Sequence, residues 1–246
     1  MLTSSRKALL LDRLTRDGQL VVASLSVELG VSEDTLRRDL RELAAQGKLV
    51  RVHGGALPAS PTHVSLDRRR ALHAEEKQGL AKVAADLIAD GMIVTIDGGS
   101  THMHIAAALP LTRRATVVTH SPGVAASFEF HSGIDVVQVG GRIFRHSMVA
   151  VGAEAGLAFA KVKADLCLLG VTGLHPAHGL TTGDPGEAEI KKIMVEAAAE
   201  TVVLATMDKI GQISPWRVAP LADLSTLVAR GDRPDWLPPS VLHLQA

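Results

Sequence analysis

Apolar residues recur at helical spacing three times before residue 45. Leu9, Leu10 and Leu14 share one face of a helix predicted over residues 4–16, with Ser4 or Ser5 as its cap and Gly18 past its end. Val22 to Leu29 forms a second, shorter helix with Leu25 and Leu29 inward, and Gly30-Val31 turns the chain. Ser32 caps a third helix, and Glu33 and Asp34 suit its positive N-terminal end. Leu36, Leu40 and Leu43 fix the buried face of that helix, while Thr35, Arg37, Arg38 and Arg41 fall off it. Gly47 stops the helix, Leu49 to Val52 alternates like a strand, and Gly54-Gly55 turns it. Helix, turn, capped helix and short basic hairpin together predict a winged helix-turn-helix over residues 1–57.

Residues 58–73 read as a linker, because Leu57-Pro-Ala-Ser-Pro61 has two prolines, small residues and no period. Arg68-Arg69-Arg70 within it is expected to be a solvated helix face rather than a second DNA contact. From residue 74 helix and strand alternate. An amphipathic helix through Leu80, Val83, Ala84, Leu87 and Ile88 ends at Gly91, and Met92 to Asp97 is a strand. Gly98-Gly99-Ser100-Thr101 opens the next helix, Thr116 to Thr119 is a strand, and Gly123 to Phe128 looks helical. Further strands are expected at 134–139, 165–170, 201–205 and 224–228, with helices near 152–161 and 186–199. The fold class is therefore α/β. A winged helix-turn-helix precedes a domain over 74–235 with a mainly parallel sheet, and 236–246 is a Pro-flanked surface tail.

The aliphatic composition agrees, with four Phe, two Trp and no Tyr in a chain that is 46% hydrophobic. Lys plus Arg balances Asp plus Glu at 26 each, so net charge does not mark a nucleic-acid binder. The local excess does: residues 1–57 carry nine basic side chains against seven acidic ones. Cys167, the single cysteine, lies in an apolar run and reads as a core residue. No apolar run approaches a membrane span and no signal peptide is legible, so a cytoplasmic location is expected.

Two sites follow. In the first, Ser32, Thr35, Arg37 and Arg38 stand at the start of the third helix, where a major groove is read. Arg51 and His53 stand where a wing meets backbone or minor groove. Arginine suits guanine bidentately, but one of the pair is expected to hold phosphate; a purely protein-binding helix-turn-helix is the bland alternative. In the second, Asp97, Gly98, Gly99, Ser100 and Thr101 follow a strand and offer amides and hydroxyls to an anion. A tight turn with a capping hydroxyl is the alternative. Strand-end position groups three more loops with it: Thr119-His120-Ser121, Gly140-Gly141-Arg142 and Thr181 to Asp184. Glu187 and Lys191 share a helix face, as pocket residues or as a surface ion pair, and Lys209 can reach the same mouth. His102 and His104 are two apart on a predicted helix, so their rings diverge, and His175-x-x-His178 lacks further ligands. No metal and no cofactor is expected: neither a dinucleotide fingerprint nor a P-loop is present, and no nucleophile elbow is visible.

Together these residues resemble the DeoR family of bacterial transcriptional regulators. The likeness is carried by Val31-Ser-Glu-Asp-Thr-Leu-Arg-Arg-Asp-Leu40 and Gly47-Lys-Leu-Val-Arg-Val-His-Gly-Gly-Ala56. It continues in Glu76-Lys77, Asp90-Gly91, Asp97-x-Gly99-Ser-Thr, Gly140-Gly141, Gly179-Leu-Thr and Glu187-Ala-x-x-Lys191. The resemblance implies a ribose-5-phosphate-isomerase-like sensor domain that binds a phosphorylated sugar, with Asp97 to Thr101, Glu187, Lys191 and Lys209 lining its pocket. The departure from the family pattern at Ser100 is mild, while those at His120 and Thr206-Met-Asp-Lys209 imply altered contacts to the sugar. The expected function is sequence-specific regulation of transcription, repressing a carbohydrate operon, by a homo-oligomer that binds double-stranded operator DNA and a phosphorylated sugar. The competing expectation is a sugar-phosphate isomerase fused to a DNA-binding module.

Overall fold

The computed structural model describes residues 2–17, 19–58 and 66–246. The stop expected at Gly18 and linker residues 59–65 lie outside the described residues. The N-terminal elements are α1 (Thr3–Asp17), β1 (Leu20–Val21), α2 (Val22–Leu29), α3 (Glu33–Ala45), β2 (Leu49–Val52) and β3 (Gly55–Pro58). Leu10, Leu14, Leu25, Leu36, Leu40 and Leu43 close a small core with Leu20, Leu49 and Ala56 from the sheet β1-β3-β2. The close approach of β3 to β1 requires Gly55. A Cβ there would lie 1.7 Å from the Leu20 carbonyl oxygen.

The remainder begins with α4 (Leu66–Ala71) and α5 (Ala74–Asp86), followed by β4 (Ile93–Ile96), α6 (Ile105–Ala108), β5 (Ala115–Thr119), α7 (Pro122–Ser127) and β6 (Ile134–Gln138). Then come β7 (Arg142–Phe144), β8 (Val149–Val151), α8 (Ala153–Ala160), β9 (Ala164–Gly170), β10 (Gly173–His175), β11 (Gly179–Thr182) and α9 (Pro185–Glu196). The chain ends with β12 (Ala198–Leu204), β13 (Trp216–Ala219), β14 (Thr226–Ala229) and β15 (Leu242–Gln245). Seven strands form one sheet in the order β15-β14-β12-β9-β4-β5-β6, and every neighbouring pair is parallel.

Both faces of this sheet are covered, which explains why its strands read as unbroken apolar runs. In β9, Leu166 and Leu168 pack with α5, α6 and α7, while Cys167 and Leu169 pack with α8 and α9. Burial pushes the Cys167 thiol up to about 12, so it behaves as a core residue.

Three readings of the sequence change. The linker span contains helix α4. The segment 236–246 is not a loose tail: Leu237 and Val241 are buried and β15 closes one sheet edge beside β14. Gly98 to Thr101 leads only into a three-residue 3-10 turn, His102–His104, and the four-residue α6. Two antiparallel additions, β7-β8 and β10-β11-β13, were not anticipated, because strands of three or four residues are too short to show a period.

Candidate functional site

Two hydroxyls and one turn build the helix-turn-helix. Gly30 ends α2 at φ 62°, and the Ser26 hydroxyl donates to the Val31 carbonyl at 2.8 Å. The Ser32 hydroxyl then caps α3 by accepting from the Thr35 amide at 3.3 Å. With Leu36, Leu40 and Leu43 inward, Arg37 and Arg38 are left exposed. The two differ. Arg37 is tied to Glu33 at 2.7 Å, whereas Arg38 has no hydrogen-bond or ion-pair partner among the described residues. Arg51 and His53 are exposed on β2 and at the hairpin turn. Beneath the head, the buried Arg6 guanidinium donates to Asp39 and ties α1 to α3, a pair that the sequence pattern did not reveal.

The second site is a cavity of about 370 Å³ at the carboxyl ends of β4, β9 and β12. Its floor is the loop Gly98 to Thr101 after β4 and Gly170 to Thr172 after β9. Gly98 is obligatory: a Cβ would meet Val149 Cγ1 at 2.1 Å. Behind the floor lies a buried charge cluster. The Asp97 carboxylate accepts from the Gly98 amide at 2.7 Å, the Gly170 amide at 2.8 Å and His120 Nε2 at 3.0 Å. It also accepts from the Lys191 ammonium, which donates to the Gly170 carbonyl at 3.0 Å as well. Burial alone would raise the Asp97 pKa, but Lys191 and the His120 hydrogen bond outweigh it and hold the carboxyl well below the usual range.

The walls carry both cations and carboxylates. Asp184 caps α9 by accepting from the Glu187 amide at 3.0 Å, which brings Glu187 and Lys191 to the cavity one turn apart. Lys209 comes from the turn after β12, and burial lowers its pKa to about 8 against the pull of Asp208. Arg69 reaches in from α4 and donates to the Ser147 hydroxyl at 3.2 Å; burial lowers its pKa too. Lys77 donates to the carbonyls of Arg69 and Leu72, capping the end of α4.

Two family models match this chain. One, described as the DeoR-like helix-turn-helix domain, covers residues 6–62; the other, the DeoR C terminal sensor domain, covers residues 72–230. The chain belongs to the DeoR family of transcriptional regulators. The HTH-type transcriptional regulator GlpR of Haloferax volcanii is 33% identical over 233 residues, covering 94% of this chain and 91% of that protein. A putative aga operon transcriptional repressor of Escherichia coli O157:H7 is 31% identical, covering 86% and 80%. The transcriptional repressor GlcR of Bacillus subtilis is 29% identical, covering 93% and 88%. Ribose 5-phosphate isomerase A of Methanocaldococcus jannaschii aligns with a TM-score of 0.41 at 20% identity, over 56% of this chain and 54% of that one. This DeoR-family member has, among its described residues, no helix long and apolar enough to cross a membrane.

Within the regulator, Gly98, Gly99, Ser100, Thr101, Glu187, Lys191 and Lys209 line the cavity. Other residues expected there do not. Asp97 and His120 lie behind the floor as its anchor, and the Ser121 hydroxyl caps α7 by accepting from the Val124 amide at 3.4 Å. Gly140, Gly141 and Arg142 lie outside, because β6 is the edge strand, two places from β4, and its exit leads into β7. The sequence reading missed Arg69, Lys77 and His102 as cavity residues. Arg69 is half-buried and not solvated as expected, and α4, at six residues, is too short for the sequence to show which face is buried.

Proposed function

We propose that this regulator represses a carbohydrate-metabolism operon and is controlled by a phosphorylated sugar bound in the cavity. The supporting observation is the mixture of charge on its walls. A bare anion leaves Asp184, Glu187 and Asp208 without a partner, and a neutral sugar leaves the charges of Arg69 and Lys209 unmatched. A sugar phosphate uses both: the cations and the amides of Gly98 to Thr101 take the phosphate, and the carboxylates accept from hydroxyls. The relatives named repressors lend the sign of regulation. The cavity is read as a sensor that binds without turnover. A homo-oligomer presents its α3 helices to half-sites roughly 34 Å apart or a multiple of it.

In the DNA head, Ser32, Thr35, Arg37, Arg38, Arg51 and His53 face the duplex. The pairing of Arg37 with Glu33 supports Arg38 as the base reader. Arg38→Ala is expected to weaken specific operator binding by about 1–3 kcal/mol and to relax preference at one base pair. Arg37→Ala should cost less, uniformly across sequences. Equal affinity and an unchanged footprint in Arg38→Ala would remove it from base reading.

The test of the effector is a thermal-shift screen of pentose and hexose phosphates with the unphosphorylated sugars as controls. Stabilisation by a phosphorylated sugar alone is expected; stabilisation by neutral sugars alone would overturn the reading. The pH dependence carries a signature. Lys209 loses its charge above about pH 8, so effector affinity should hold below that pH. Above it the affinity should fall by up to about tenfold per pH unit. The stability of the unliganded protein should move the other way, rising toward about pH 10.4, because the unfolded chain then binds the extra proton. Calorimetric titration from neutral pH upward checks this, and a profile as steep in Lys209→Met would refute it.

A further inference from the structure

His102 is, among the described residues, the buried side chain with both ring nitrogens unsatisfied. Its side chain is 1% exposed and lines the cavity, yet neither Nδ1 nor Nε2 has a hydrogen-bond partner among the described residues. Other buried histidines are better served. His120 bonds through both nitrogens, and His131 bonds through Nε2 to the Leu109 carbonyl at 3.2 Å. The ring is held in place by what surrounds it. A Cβ on Gly170 would lie 3.0 Å from its Cε1, and one on Gly99 would lie 3.5 Å from its Nδ1. Both neighbours are glycines that leave room for the imidazole at the cavity floor. Two buried, unpaired ring nitrogens are costly, and such groups call for a partner that arrives from elsewhere.

The chemistry of that partner follows from the protonation state. Burial holds the imidazole pKa at about 4, with Asp97 pulling up and Lys191 and Lys209 pushing down, so the ring is neutral at physiological pH. A neutral imidazole offers one N–H donor and one lone pair. The phosphate of a monoester, as the dianion, only accepts and leaves the lone pair unmet. A ligand ammonium would face Lys191 and Lys209. A hydroxyl both donates and accepts, so it suits either nitrogen of the neutral ring.

Resting on the sugar-phosphate reading of the cavity, we infer that His102 hydrogen-bonds hydroxyl groups of the bound sugar and determines which sugar is accepted. The phosphate end and the hydroxyl end of the effector are thereby read by different groups: cations and loop amides for one, His102 with the wall carboxylates for the other.

The test is calorimetric titration of the full chain, wild type, His102→Leu and His102→Gln. The titrants are inorganic phosphate and a panel of ribose 5-phosphate, glucose 6-phosphate, fructose 6-phosphate and fructose 1-phosphate. In His102→Leu the best-bound sugar phosphate should lose about tenfold or more in affinity, while inorganic phosphate binds as in wild type. His102→Gln, with a donor and an acceptor, should retain more of the affinity than the leucine variant. The melting temperature of unliganded His102→Leu should not fall, since a group without a partner has been removed. Wild-type sugar-phosphate affinity in His102→Leu would overturn the inference, as would equal losses for sugar phosphate and inorganic phosphate. Nitrogen-15 spectra of the wild-type imidazole supply a readout that needs no variant. Sugar phosphate should move the His102 ring signals and inorganic phosphate should not; unmoved signals in a saturated complex would refute the contact. If the wild type binds no member of the panel, the sugar-phosphate reading falls first and this inference with it.

Discussion

Replacing Asp97 by alanine is expected to lower the melting temperature of the sensor domain by about 10 °C, the largest single stability loss we anticipate. Asp97 is 1% exposed and neutralises Lys191, which is itself buried. Removing the carboxylate strands an ammonium in the core and leaves the Gly98 and Gly170 amides without their acceptor. Breaking such a pair from one side costs about 3–5 kcal/mol. Removing both charges costs far less, so Asp97→Leu combined with Lys191→Met should recover much of the loss. The double variant should nonetheless bind effector poorly, because Lys191 also faces the cavity. The depressed pKa of Asp97 sets the pH window. Its contribution is whole well above about pH 4, declines progressively as the pH falls below that, and is gone once acid reaches the low folded-state value. Wild-type melting in Asp97→Ala at neutral pH would mean that the cluster does not hold the floor.

Gly55→Ala should abolish operator binding while sparing the effector response. The added Cβ meets the backbone oxygen of Leu20 at 1.7 Å, and backbone cannot step aside as a side chain can. β3 would have to leave β1, breaking the Val21–Gly55 register and pulling the fully buried Ala56 from the core. A cost of about 3 kcal/mol or more is large for so small a core. Specific binding should fall by about 100-fold or more, measured by fluorescence anisotropy on an operator selected from random duplexes. Gly54→Asn is the control: Gly54 sits at φ 80° with open space around it, and asparagine tolerates that conformation. Near-normal operator affinity in Gly55→Ala would show that the hairpin does not need its pairing to β1.

What the sequence made legible was whatever repeats or caps. The Leu36, Leu40, Leu43 stripe and the Ser32 cap placed the third helix, and the apolar runs at 165–170 and 201–205 placed the two strands at the centre of the sheet. Pairs formed across the fold left no such mark. Asp97 and Lys191 are 94 residues apart, and nothing in the spacing shows that the aspartate anchors the cavity floor instead of touching a ligand. Gly140-Gly141 looked equivalent to Gly98-Gly99 as a strand-end loop, but strand order decides the matter and β6 is an edge. Arg69 was hidden by the shortness of α4, and His102 by its place in a 3-10 turn, where a helical face cannot be assigned.

Control of operator binding from the cavity requires that the cavity and the DNA-binding head share one free energy. The most direct measurement is the affinity of the full-length protein for its best-bound sugar phosphate, with and without saturating operator DNA. Linkage makes the two dissociation constants differ by the same factor that the sugar imposes on DNA binding, about 5–150-fold for a coupling of about 1–3 kcal/mol, with the sugar bound more weakly when DNA is present. Identical constants in the two titrations would contradict the account, however tightly the sugar binds.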